Sequence, residues 1–168
     1  MATGTACVCA ALLWGCASSR VDQALQSESH ENISPEQKAA VLKALRLHAS
    51  RDLYIIPNIP PKKLANARQS CAVGVDDEVL ALVDTTSLGS AKSCLVVGTS
   101  GIYVKNDLIA ESPGRSFVPY SGFVDGGLKR SQRNEVSIGG VSFNMAWSSM
   151  PKEELIKMLS DVQASLRR

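Results

Sequence analysis

Residues 78–107, EVLALVDTTSLGSAKSCLVVGTSGIYVKND, decide how this chain is read. EVLALVDTT (78–86), SCLVV (93–97) and IYVKN (102–106) are short, apolar and β-branched, and each is bounded by Gly, Ser or Thr. Such runs form strands. The last two flank Gly98–Gly101, a glycine-bracketed stretch that suits a hairpin loop. Strands joined by loops this short pair antiparallel, because a parallel partner needs a long crossover.

Downstream, SFVPY (116–120) is a further strand, which Pro119 confines to an edge or a bulge. GFVDGGLK (122–129) reads as a weak strand broken at Gly126-Gly127. NEVSIGGVSFNMAW (134–147) is the clearest hairpin, with Gly139-Gly140 at its turn and Val136, Ile138, Val141, Phe143, Met145 and Trp147 alternating along its arms. From Pro151 to about Leu166 the period becomes helical. Leu155, Met158, Leu159, Val162 and Leu166 share one face, with Glu153, Glu154, Lys157 and Asp161 turned away from it.

Upstream, Ser34-Pro35-Glu36-Gln37 carries a helix start: a serine cap, proline at the first helical position and a glutamine that completes a capping box. That helix is expected to end near Ser50, with Val41, Leu45 and His48 on one side. Leu53–Ile56 is a short apolar piece stopped by Pro57. A second helix from Pro61 carries Leu64, Ala67 and Cys71 on one face, with Gly74 as its stop. The expected fold class is therefore α+β. One or two N-terminal helices precede seven antiparallel strands, forming a barrel or roll in which each strand shows one face to the core and a C-terminal helix caps the open end. A generic α+β roll or β-sandwich is the competing architecture.

Composition narrows the function. Apolar residues make up 45% and charged residues 20%, as in a globular protein. A net charge of +2 is too small to drive nucleic-acid binding. No run of 18 apolar residues exists, so no ordinary transmembrane helix is expected. There is no C-x-x-C pair, and His30 and His48 are far in sequence from any cysteine, so neither a metal site nor a cofactor is expected.

The first residues have a different character. ACVCAALLWG (6–15) is an apolar run of ten residues, too short to span a bilayer and the right length for the core of an export signal. Leu13-Trp14-Gly15-Cys16 resembles the lipobox of bacterial lipoproteins, in which the cysteine is acylated and becomes the new N-terminus. Two features depart from that pattern: Trp14 is bulky, and no Lys or Arg precedes the apolar run. By the resemblance, 1–15 is a signal peptide and Cys16 the lipidation site, with palmitate among its acyl chains. Ala17 then directs the product to the outer membrane, facing the periplasm. Residues 17–33 are polar and read as a tether, so that 16–33 is the lipidated linker, 34–74 a helical subdomain and 75–168 the β-domain with its helix. The alternative is a cytoplasmic protein whose start is mis-assigned.

The same strand run, with Gly89-Ser90-Ala91-Lys92 followed by Gly101-Ile102-Tyr103, resembles bacterial pleckstrin-homology-like (PH-like, GRAM-like) domains of unassigned function. The resemblance extends over roughly residues 53–166 and implies a seven-stranded antiparallel roll with a terminal helix, without catalytic residues. PH domains that bind inositol phosphates carry basic residues around the first hairpin loop, where this chain offers only Lys92.

Few residues carry chemistry. Gly98-Thr99-Ser100-Gly101 lacks the spacing of a nucleophile elbow and lies between strands, so it is hairpin punctuation. His48, close to the apolar stripe of the first helix, is a candidate base, with Asp52 near in sequence and Cys71 as the thiol it would need near it in space. The plainer reading is a histidine at a helix C-terminus. Cys71 and Cys94 either form a disulfide, closing a loop of roughly twenty residues and contributing about 3 kcal/mol, or remain separate buried thiols. Lys129, Arg130 and Arg133 form a small basic cluster whose plainer reading is a solvated turn. The expected role is non-enzymatic: membrane attachment through acyl chains, and a peptide or protein partner bound along a sheet edge or beside the last helix. A lipid-binding module is the alternative.

Overall fold

The computed structural model describes residues 31–107, 114–131 and 133–167. Four helices and eight strands follow in the order α1 (Pro35–Leu45), β1 (Leu53–Ile55), α2 (Pro61–Cys71), β2 (Val79–Asp84), β3 (Cys94–Gly98), β4 (Gly101–Asn106), β5 (Gly114–Pro119), α3 (Tyr120–Gly126), β6 (Leu128–Arg130), β7 (Glu135–Ile138), β8 (Val141–Asn144) and α4 (Lys152–Leu166). The fold is α+β. Two antiparallel sheets, ordered β1-β2-β3-β4-β5 and β6-β7-β8, are not joined by strand pairing, so the sheet does not close.

α1 begins as its sequence dictates. Ser34 Oγ accepts from the Gln37 amide at 3.2 Å and Gln37 Oε1 accepts from the Ser34 amide at 3.1 Å, which completes the capping box. The helix ends earlier than Ser50. Leu47 and His48 donate to the carbonyls of Ala44 and Leu45, a tight final turn that carries the His48 ring onto α4. α2 stops at Ala72, in the left-handed region with φ 54°, rather than at Gly74.

The central strands are buried on both faces, not one. Leu80, Val83, Leu95, Val97, Ile102 and Val104 enter a core shared with α1, α3, α4 and the small sheet. Val79, Leu82, Cys94, Val96 and Tyr103 pack instead against Ala67 and Cys71 of α2. Burial on both sides explains the unbroken apolar runs of β2 and β3.

Residues 120–126 form a helix where the sequence suggested a strand. Tyr120 and Phe123 lie one turn apart and are both buried. α4 then satisfies the helix end: Gln163 Nε2 donates to the Phe123 and Val124 carbonyls, and Arg167 donates to that of Val124. Of the expected strand only Leu128 and Lys129 pair with β7, and Arg130 continues that pairing. The β7–β8 hairpin turns at Gly139 (φ 55°) and Gly140 (φ 89°), the positive values that a two-residue hairpin turn demands. Trp147 leaves the expected alternation and is 55% exposed. β8 ends at Asn144, whose side chain accepts from the Ala146 amide at 2.8 Å and turns the chain.

The Asn106 side chain links the two sheets. Asn106 of β4 donates to the Ser142 carbonyl at 2.7 Å and accepts from the Asn144 amide at 3.0 Å, taking the place of a strand rung on β8. α4 covers the core with Leu155, Met158, Leu159 and Val162, all fully buried.

Candidate functional site

Among the described residues two clefts bear on function. The larger, about 570 Å³, runs beside β1 and is lined by residues 46, 48–50 and 53–58, among them Arg46, His48, Leu53, Tyr54 and Ile55. β1 pairs with β2 on one side, with Tyr54 opposite Leu82. Asp84 donates to the Asp52 carbonyl and Ile56 to that of Leu80, which sets the ladder's phase. By the antiparallel alternation, the amides and carbonyls of Leu53 and Ile55 point away from β2. The Leu53 amide turns to Ser50, and the Ile55 carbonyl accepts from Asn58. The Leu53 carbonyl and the Ile55 amide have no hydrogen-bond partner among the described residues. They face the cleft as one acceptor and one donor.

The smaller cleft, about 310 Å³, lies at the other end of β2 and is lined by Thr86, Ser87, Lys92, Ser93, Lys105, Asn106, Asp107 and Trp147. Its loop is built on Asp84, which is 1% exposed. Asp84 accepts from Thr86 N and Oγ1, from the Ala91 amide and from Lys63 Nζ at 2.6 Å. Burial works to raise the Asp84 carboxyl, and the hydrogen bonds from Lys63 and Thr86 outweigh it and hold it below the ordinary carboxylate range. Leu88, at 93% exposure, projects from the same loop.

A third polar cluster is fully internal. The Asp77 carboxylate accepts from Thr99 N (2.5 Å) and Oγ1 (2.7 Å), Ser100 N (3.2 Å), Tyr103 OH (2.6 Å) and Ser100 Oγ. The 98–101 loop is thus punctuation, as its sequence suggested, fixed by an aspartate from the preceding segment. Residues 32 and 33, assigned to the tether by composition, join this cluster: the Asn32 side-chain amide lies 3.0 Å from Thr99 Oγ1, and the Ile33 amide donates to the Thr99 carbonyl.

The residues singled out by sequence fare differently. Cys16 and His30 lie outside the described residues. Cys71 and Cys94 come together as buried thiols, with Sγ–Sγ 3.3 Å, against about 2.05 Å for a disulfide. The second thiol and its burial push the Cys94 thiol well above its ordinary value. Cys71 is not paired with His48, whose ring nitrogens meet Glu154 Oε1 at 2.6 Å and Asp161 Oδ2 at 2.9 Å. Glu154 and Asp161 therefore do not simply face solvent. Lys129, Arg130 and Arg133 do not converge on either cleft. Arg130 pairs with Glu153 at 2.5 Å, and Lys152 Nζ donates to the Ser131 and Arg133 carbonyls. Sequence reasoning missed the β1 edge, whose only signal was the short apolar run before Pro57.

Among the described residues no cluster of His, Cys, Asp and Glu is arranged to hold a metal, and no helix is long and apolar enough to cross a membrane. No protein-family model matches the chain, and comparisons with curated proteins and with solved structures return no match.

Proposed function

We propose that this chain is a non-enzymatic bacterial envelope lipoprotein, anchored through acylated Cys16, whose PH-like module binds an extended peptide of a protein partner along β1. The PH-like reading is supported by two successive meanders, β2–β5 and β6–β8, followed by the terminal helix α4. The peptide reading rests on one observation: the outward Leu53 carbonyl and Ile55 amide beside a cleft of mixed polar and apolar lining, with Arg46 at its wall. An added strand takes both groups through main-chain hydrogen bonds, while its side chains fill the cleft. Leu53, Ile55 and Ile56 offer apolar contact to such side chains, and Arg46 fits an acidic residue or a terminal carboxylate.

The test selects peptides by display against the chain and measures their affinity for wild type and Ile55→Pro. Proline deletes the outward amide and is tolerated on edge strands. A loss of about tenfold is expected, the worth of one buried hydrogen bond. Equal affinity overturns the reading. Palmitate labelling with a Cys16→Ala control tests the anchor separately; no labelling returns the chain to the cytoplasmic alternative.

A second reading, a lipid-binding module, is favoured by the smaller cleft, lined by Lys92, Lys105 and the exposed Trp147. Flotation of Cys16→Ala with anionic vesicles, lost at high salt and in Lys92→Ala/Lys105→Ala, supports it. Absence of flotation excludes it.

A further inference from the structure

His48 sits where α1 ends, 5% exposed, with each ring nitrogen on a carboxylate of α4. A neutral imidazole carries a single N–H and can donate to only one carboxylate; the other then faces a lone pair. Only the imidazolium satisfies Glu154 and Asp161 together. Around the ring stand Glu154, Asp161 and Lys157 from α4, Lys157 meeting Asp161 at 3.2 Å. From the α1 side Arg46 shares the cleft wall, and Asp52 is occupied by the Ser149 amide and Ser148 hydroxyl.

His48 also lines the larger cleft, in the same turn as Arg46, Ala49 and Ser50. We propose that His48 is a proton-dependent latch: the imidazolium, held between Glu154 and Asp161, pins the 46–50 wall of the β1 cleft to α4, and loss of its proton releases that wall. As a regulator of partner binding the latch rests on the β1 reading; as a structural device it does not.

The sign follows from the bonds. While the imidazolium persists the latch is closed, and once its proton is lost one hydrogen bond becomes a repulsive contact. At the acid end a second limit operates. The His48 bond, against a smaller effect of burial, lowers the Asp161 carboxyl below its ordinary value. Its contribution is present above the ordinary carboxylate range and is lost as pH falls through the lowered value.

The experiment follows the His48 ring nitrogens by NMR in the full chain from about pH 5 to pH 9, spanning the histidine range. In parallel it follows exchange of the Arg46, Leu47 and His48 amides, corrected for intrinsic rates. Both ring nitrogens should carry protons on the acid side. Amide protection should fall about tenfold as that state is lost, in line with a charged hydrogen bond. In Asp161→Asn a neutral ring suffices, and the pH dependence should flatten. A ring with one proton throughout, or protection that ignores the titration, overturns the latch. Failure of Ile55→Pro to alter peptide affinity overturns only the docking role.

Discussion

The Tyr103 hydroxyl donates to the Asp77 carboxylate at 2.6 Å, inside a sheet face covered by α2. Burial and this bond push the Tyr103 phenol up to about 12. A phenol whose folded value is raised contributes stability that is whole below the ordinary tyrosine range and is lost as pH rises through the folded value. The difference in phenolate absorbance between wild type and Tyr103→Phe should therefore titrate near pH 12. A midpoint near 10, the unperturbed value, would contradict the geometry.

Asp77 behaves in the opposite sense. Burial favours its neutral form, but bonds from Ser100, Tyr103 and Thr99 prevail and hold the carboxyl below its ordinary value. Its contribution is present above the ordinary carboxylate range and vanishes as acid protonates it in the folded state. Asp77→Ala should cost about 3 kcal/mol in urea unfolding at neutral pH, since it leaves several buried donors unpaired. The gap to wild type should shrink in acid.

Asp84 and Lys63 are unequal partners. Asp84→Ala removes the acceptor for the Thr86 and Ala91 amides as well as for Lys63. Ala91 is fully buried at φ 56°, so the β2–β3 loop depends on that acceptor. Lys63→Met removes one donor of four. Equilibrium unfolding should show Asp84→Ala costing about 3 kcal/mol and Lys63→Met about 1 kcal/mol. The reverse order would show that the ion pair, not the loop, dominates.

Gly101 opens β4 opposite Pro119 of β5. A Cβ there would lie 2.4 Å from the Val118 carbonyl oxygen and 2.8 Å from the Phe117 ring. The obstacle is backbone and cannot swing aside. Gly101→Ala should destabilise by about 2–3 kcal/mol, as overpacking does. By contrast, Gly74→Ala, where nothing lies within 4 Å, should fall within about 0.5 kcal/mol of wild type.

The parts of the fold that were legible are those governed by local pattern. Ser34 to Gln37 announces α1, Gly139-Gly140 sets the hairpin turn, and the apolar stripe of α4 marks its buried face. The unbroken apolar run of β2 held a signal of burial on both faces, against the expectation of one buried face. The second cover, α2, was obscured by its lysines and arginine. Residues 120–126 are helical because Gln163 and Arg167 supply donors from some 40 positions away, a distance no periodicity reports. The candidate site was hidden for the same reason. Leu53–Ile55 becomes an edge only once β2 takes its other side, and His48 acquires its two carboxylates from α4, more than 100 residues downstream.

Asn32 and Ile33 both fasten onto Thr99, whose own amide and hydroxyl are held by Asp77. Tension arriving from the preceding residues is therefore delivered to the β3–β4 corner before it reaches α1.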